Sequence, residues 1–496
     1  MTTNRWALTL ILLLGSAAHG AAQETIEINT SRATHPFPHF WEQVFGSGRA
    51  VLSLREGYRE DLRATREITG FQYVRFHAIF HDENGVYSED RQGRPIYNWS
   101  YVDQIYDGLL ANHVRPFVEL SFMPEALASS AVSHAFWYRP LPAPPREYAR
   151  WGGLIESFAR HLVERYGIEE VAQWYFEIWN EPNIDFWTGV PKEGTYRQLY
   201  RSSADALKRV SPRLRVGGPA TAQAAWVGRF IAWCAREKVP VDFVSTHVYA
   251  NDKSEDVFGT HERIPRRDMV ARAVKKVYEE VKSSPMPDLP IHWTEYNASY
   301  KNEINVTDSP FMGPWLANNI RACDGMVTTM SYWTFSDVFE EQGVVKTPFY
   351  SGFGLIAAGH IPKASFNAFR LLNRLGRERL KVDSESALVT RRADGSIAAA
   401  VWNYSEPEEK GSTKDVLLEF RSPQAPRQAW ITIVDAEHGS PLRLWESMGR
   451  PAHPTREQQE ALRRAAQLPA PVIQPVPPAG LKLTLSPKAL ALVEFQ

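Results

Sequence analysis

Short apolar runs alternate with amphipathic stretches over most of this chain. Buried strands are predicted at residues 41–46, 73–80, 115–122, 173–179, 215–219, 242–249, 291–297 and 330–335. The helices between them are clearest at 148–166, 195–210, 226–238, 268–282 and 363–375. In the last, Phe366, Phe369, Leu372 and Leu375 recur every three residues and form one face, and Gly376 follows as a stop. Eight strand–helix steps suit a (β/α)8 TIM barrel, an α/β fold, better than an open doubly wound sheet. No GxGxxG follows the first strand, so a dinucleotide-binding fold lacks its signature.

The pattern changes after Gly376. Residues 387–392, 397–403, 416–420, 429–434, 481–485 and 490–495 read as strands of an antiparallel β-sandwich. An early strand at 25–29 is expected to pair with it. The Pro/Ala-rich stretch 468–478 is read as a loop, and Pro-rich 139–146 as a rigid loop over the barrel mouth. The expected organisation is a signal peptide at 1–22, an N-terminal strand segment at 23–35, the barrel at 36–377 and the sandwich at 378–496.

Composition narrows the function classes. The chain has 496 residues, 44% hydrophobic and 23% charged, with a formal net charge of -1. Nucleic acid and anionic membrane are poor partners for such a surface, because both need concentrated positive charge. Arg5, the apolar stretch 7–14 and the small residues up to Ala22 form a secretory signal, predicting a secreted or periplasmic protein. That stretch is too short to span a bilayer. Cys234 and Cys323 lie in helix-like stretches and are read as buried free thiols; no zinc-type spacing is present.

The candidate chemistry sits at strand ends. Trp179-Asn180-Glu181-Pro182 stops the fourth strand abruptly, and Glu295 lies near the end of the seventh. In barrels the C-terminal strand ends form the active face. Two carboxylates there are the parts needed to split a glycosidic bond: one acid with a raised pKa, one ionised nucleophile or base. Trp179 and Phe186 are expected as apolar walls for Glu181, and Tyr249, at the end of the sixth strand, as a hydrogen-bond donor to Glu295. Glu119 ends the third strand and is read as a structural partner of a barrel arginine such as Arg75. His77 and His81 are four apart but straddle a strand end, which makes joint metal ligation unexpected. Of the sequons, Asn297-Ala298-Ser299 would place a glycan against Glu295.

These motifs resemble glycoside hydrolase family 39, of which β-xylosidases are a branch. The resemblance rests on Gly46-Ser47-Gly48-Arg49-Ala50, Val74-Arg75-Phe76-His77, Pro116-Phe117-Val118-Glu119-Leu120 and Trp179-Asn180-Glu181-Pro182. It extends through Ser245-Thr246-His247-Val248-Tyr249, Trp293-Thr294-Glu295-Tyr296 and Tyr332-Trp333-Thr334-Phe335-Ser336-Asp337 to Phe339-Glu340-Glu341. It implies Glu181 as acid/base and Glu295 as nucleophile of a retaining reaction, with Asn180 on the sugar 2-hydroxyl. It also implies that His77, His247, Tyr249, Glu340 and Glu341 line the terminal-sugar subsite over a Trp333 floor. No cofactor or metal is implied, and the expected partner is an oligosaccharide or glycoside. The leading expectation is an exo-acting β-1,4-xylosidase. Rival readings are a glycosidase for arabinose-, galactose- or uronic-acid-type sugars, an endo-acting hydrolase, or an inactive carbohydrate-binding barrel. The sugar, the linkage and the oligomeric state are left open by the sequence.

Overall fold

The computed structural model of the protein describes residues 23–421 and 426–496. The signal-peptide expectation at 1–22 therefore lies outside the described residues. Eight parallel strands close into a barrel in sequence order: β1 (Val44–Gly46), β2 (Tyr73–Phe76), β3 (Arg115–Leu120), β4 (Tyr175–Ile178), β5 (Arg215–Thr221), β6 (Phe243–Tyr249), β7 (Ile291–Asn297) and β8 (Thr329–Tyr332). Several strands stop earlier than the apolar runs suggest. At β2 and β4 the reason is local: Ala78 at φ 72° and Trp179 at φ 71° turn the chain off the sheet.

Helices Tyr148–Tyr166, Lys192–Val210, Val227–Glu237, Arg266–Lys282 and Ala364–Asn373 match the amphipathic stretches. Among the other helices, Glu56–Ile68 and Ser100–Ala111 escaped the pattern. Glu56–Ile68 is rich in charge and buries Asp61 and Thr65 beside Tyr58, Leu62 and Ile68, so its inward face is not uniformly apolar.

The barrel interior is layered. Val44, Phe117 and Phe243 pack with Tyr73 and Tyr175 at the start of the strands. Above them lie fully buried Arg75, Glu119 and Glu177. Such charges are tolerated inside only when paired. Arg75 supplies the pairing: Nη2 is 2.8 Å from Glu119 and Nε is 2.6 Å from Glu177. The charged layer sits directly beneath the mouth and supports what lies there.

Outside the barrel lies an antiparallel sheet of seven strands, into which Thr34–Pro36 is paired beside Glu378–Leu380. A three-stranded sheet faces a shared apolar core; in it Glu24–Ile28 runs parallel to Lys414–Phe420, and Leu481–Leu485 pairs on the other side. Part of the stretch expected as a loop forms the edge strand Val472–Pro475, paired with Gln428–Val434. Helix Arg456–Ala465, also unexpected, starts at a Thr455/Gln458 capping box. Among the described residues no helix is long and apolar enough to cross a membrane.

Candidate active site

The end of β4 places Glu181 by backbone strain. Trp179 and Glu181 both hold positive φ, 71° and 44°, and the Glu181 amide donates to the Ala220 carbonyl at 2.8 Å. Asn183 pins the same turn to Ala222 through two hydrogen bonds of 2.9 and 3.0 Å. Trp179 itself points outward, with its indole N–H on the Phe186 carbonyl at 2.7 Å; it is a packing residue, not a wall of the cleft. Phe186 does line the cleft.

Glu295 on β7 is held at both oxygens. Arg75 Nη1 donates to Oε1 at 2.6 Å and the Tyr249 hydroxyl donates to Oε2 at 2.6 Å. Charge-assisted bonds of this length are among the stronger kind. Glu181 differs. Burial first, and then the charge of Glu295, hold its carboxyl well above the ordinary carboxylate range. One oxygen of each carboxylate and one nitrogen of His247 lie within 4.8 Å of one another. Those three atoms are close enough to hold a cation. However, His247 Nδ1 already faces Glu181 Oε1 at 2.9 Å, and Glu295 is engaged by Arg75 and Tyr249.

A cavity of about 440 Å³ opens over the pair. Of the residues expected in the site, Asn180, Glu181, Tyr249, Glu295, Trp333 and Glu341 line it. Asn180 Oδ1 accepts from Arg75 Nη2 at 3.0 Å, which leaves its amide N–H groups as the donors available to a ligand. The Trp333 ring needs a glycine below it: a Cβ at Gly46 would lie 2.1 Å from the indole. Burial pushes the Glu341 carboxyl well up, and Glu295 and Glu119 add to this.

Three expected sugar contacts are placed differently. His247 has no exposed surface and lies behind Glu181, so it contacts the carboxyl rather than the cavity. Burial, then Arg75 and His77, hold it well below the usual imidazole range, as a neutral ring. Glu340 turns away from its neighbour Glu341 because Arg49 and Arg55 bind it; Arg55 Nη2 is 3.1 Å from Oε2. His77 is 2% exposed and hydrogen-bonds Glu119 at 2.6 Å, with Nε2 3.7 Å from Glu341 and 3.8 Å from Glu295. It braces the wall from behind.

Sequence reasoning missed several residues of the site. Arg75 was seen only as a partner of Glu119, yet it joins Glu177, Glu295 and Asn180 as well. Asp252, Asp185, Gln223 and Tyr300 reach the cavity from loops that carry no periodic signal. Burial raises Asp252 to about 7. Asn297 is fully buried with its side-chain amide on the Trp333 carbonyl, so the folded chain offers that sequon no room for a glycan. Cys234 and Cys323 are buried free thiols.

Comparisons agree with this geometry. The profile "Glycosyl hydrolases family 39" matches residues 24–481. A β-xylosidase of Geobacillus stearothermophilus is 41% identical over 450 residues, 88% of each chain. The α-L-iduronidase of Canis lupus familiaris is 23% identical, over 97% of this chain and 79% of its own. The crystal structure of a monomeric β-xylosidase from Caulobacter crescentus CB15 superposes with a TM-score of 0.86 at 32% identity, covering 95% of this chain and 99% of that one. This protein belongs to glycoside hydrolase family 39 and is a glycoside hydrolase.

Proposed function

We propose that this enzyme is a secreted, retaining exo-β-xylosidase that removes terminal xylose from xylo-oligosaccharides. The observation that carries the reading is the approach of a Glu181 oxygen and a Glu295 oxygen to within 4.8 Å across the mouth of the barrel. Retaining enzymes keep their carboxyl groups about 5–5.5 Å apart, and inverting ones leave a water's width more. Glu295 forms a bond to the anomeric carbon while Glu181 gives its proton to the departing oxygen, which takes the electron pair of the broken C–O bond. In the second step Glu181 takes a proton from water, whose oxygen displaces Glu295. The Asn180 amide meets the sugar 2-hydroxyl, where hydrogen bonding strengthens in the transition state.

Exo action is supported by Glu341 and Trp333, which wall one side of a compact cavity. Xylose is supported by two β-xylosidase relatives, at 41% and 36% identity. A uronic acid is disfavoured: no Lys or Arg is among the described residues lining the cavity, and a substrate carboxylate would meet Glu341 and Asp252. Export is supported by Arg5 and the apolar stretch 7–14, and sequencing the mature N-terminus tests it.

A panel of aryl glycosides of xylose, arabinose, galactose, glucose and glucuronic acid tests the sugar; turnover led by any but xylose refutes it. Proton NMR of the first-formed product should show β-xylose, and first-formed α-xylose overturns retention. Glu295→Ala should abolish turnover. Glu181→Ala should impair poor leaving groups far more than activated aryl groups and recover with azide. A uniform loss across leaving groups removes Glu181 from the acid/base role.

A further inference from the structure

Behind Glu181 runs an unbroken line of buried hydrogen bonds. Arg75 Nε donates to Glu177 Oε2 at 2.6 Å, and the Thr294 hydroxyl donates to Glu177 Oε1 at 2.8 Å. Thr294 Oγ1 lies 3.0 Å from His247 Nε2, and His247 Nδ1 lies 2.9 Å from Glu181 Oε1. None of these side chains belongs to a residue more than 7% exposed. Thr294 keeps the inward face of His292, whose ring packs against Phe117, Tyr175 and Phe243 inside the barrel. Thr246 pairs with Trp293 and His247 with Glu295, so Thr294 is the extra, unpaired residue of β7. The bulge lets the next residue, Glu295, face inward as well, so the carboxylate and the hydroxyl that strict alternation would separate share one face.

A hydroxyl has one proton to give. If Thr294 gives it to Glu177, its oxygen accepts from His247, and the imidazole carries its proton on Nε2. Nδ1 is then a bare lone pair, and its contact with Glu181 is attractive only when Glu181 is the donor. We propose that Thr294 and Glu177 act as positioning residues that hold His247 in its Nε2–H tautomer, so that Nδ1 keeps the proton on Glu181 until it is delivered. Once that proton has passed to the glycosidic oxygen, the Nδ1 lone pair faces a carboxylate 2.9 Å away. The repulsion makes Glu181 a stronger base for the water of the second step. A turn of the carboxyl about Cγ–Cδ exchanges its two oxygens between Nδ1 and the substrate. The inference rests on the assignment of Glu181 as acid/base.

The charged surroundings agree with this direction. Glu181 faces Glu295, Asp252, Glu341 and Arg75; His247 faces Arg75, His77 and, 3.7 Å from Nδ1, Glu295 Oε1; Glu177 faces Arg75 and Glu119. Burial raises both ends of the line, but Glu181, next to Glu295 and without a direct guanidinium partner, is lifted well above its range, whereas Arg75 draws Glu177 back. The proton belongs at the Glu181 end.

The test is Thr294→Val, which keeps the volume and removes both bonds. Without its acceptor, Nε2–H loses its advantage, and an Nδ1–H tautomer can stabilise ionised Glu181. A general acid works only while protonated, so the basic limb of kcat/KM on a xyloside with a poor leaving group should move to lower pH by about one unit or more. Thr294→Ser should restore the limb. A basic limb that stays in place, with activity lowered evenly at every pH, overturns the proposal. A second measurement needs no variant: ¹⁵N NMR of imidazole-labelled wild type should show His247 protonated on Nε2 and bare on Nδ1. A protonated Nδ1, the sign of a reversed line with the proton on Glu177, equally overturns it. A uniform leaving-group response in Glu181→Ala would instead mark failure of the acid/base assignment itself.

Discussion

Replacing Arg75 by Met should cost stability in a pH-dependent way. Arg75 is fully buried, within 2.8 Å of Glu119 and within 2.6 Å of Glu177 and Glu295. Met keeps most of the volume but leaves three carboxylates around a neutral side chain. Removing one partner of a buried ion pair costs about 3–5 kcal/mol, mostly because the remaining charge is stranded. With three carboxylates sharing one cation, the loss at pH 8 should reach at least that range, a large fraction of the roughly 5–15 kcal/mol that holds an ordinary domain together.

The sign of the pH dependence follows from linkage. In the variant the stranded carboxyls have folded pKa values above their unfolded value of about 4.3. Folding then favours their protonated forms, so stability falls as pH rises through the raised values. The deficit should be larger at pH 8 than at pH 5. Urea unfolding followed by tryptophan fluorescence reads it, since Trp179 and Trp293 are buried in the barrel. Arg75→Lys should recover part of the loss by restoring the charge without the fork. A deficit below about 1 kcal/mol, or one equal at both pH values, would refute the view that Arg75 neutralises this layer.

Tyr249→Phe removes the 2.6 Å hydroxyl bond to Glu295, a charge-assisted bond worth about 1.5–3 kcal/mol, so kcat/KM should fall about 10- to 150-fold with the fold intact by circular dichroism. Glu341→Gln should change KM for xylosides while Glu340→Gln leaves it near wild type, because Glu341 lines the cavity and Glu340 faces Arg49 and Arg55; equal effects on KM would contradict the divergence of the pair. Lys363 has no exposed surface and bridges Asp308 at 2.6 Å and Asp337 at 2.7 Å, one beyond β7 and one beyond β8. Lys363→Met should destabilise by about 3–5 kcal/mol in chemical denaturation, and a change below about 1 kcal/mol would show that the bridge adds little.

The barrel was legible because burial on both faces of a parallel strand and on one face of each covering helix leaves periodic apolar signals. Glu56–Ile68 was not, because its inward face includes Asp61, whose carboxylate is matched by Ser336 and His360 from distant loops. Val472–Pro475 was hidden for a related reason. It is an exposed edge strand containing proline, which an edge tolerates and a central strand does not.

Within the site, Glu181 and Glu295 were readable from the way apolar strands end in polar residues. His247 and Glu340 show where that reading stops. Alternation along β6 puts His247 on the inner face, but it does not say whether Glu181 stands between the ring and the cavity. Adjacency makes Glu340 and Glu341 look like a pair, yet φ of 62° at Glu340 and two arginines from the segment between β1 and helix Glu56–Ile68 send it elsewhere. Local order along the chain thus settles which residues reach the barrel mouth, since strand direction and period depend on near neighbours. Which of those residues meets substrate, which one braces it, and which way the line from Glu177 to Glu181 can run depend on partners far apart in sequence. A bulge in β7 and a single arginine decide them, and both exist only once the barrel has closed.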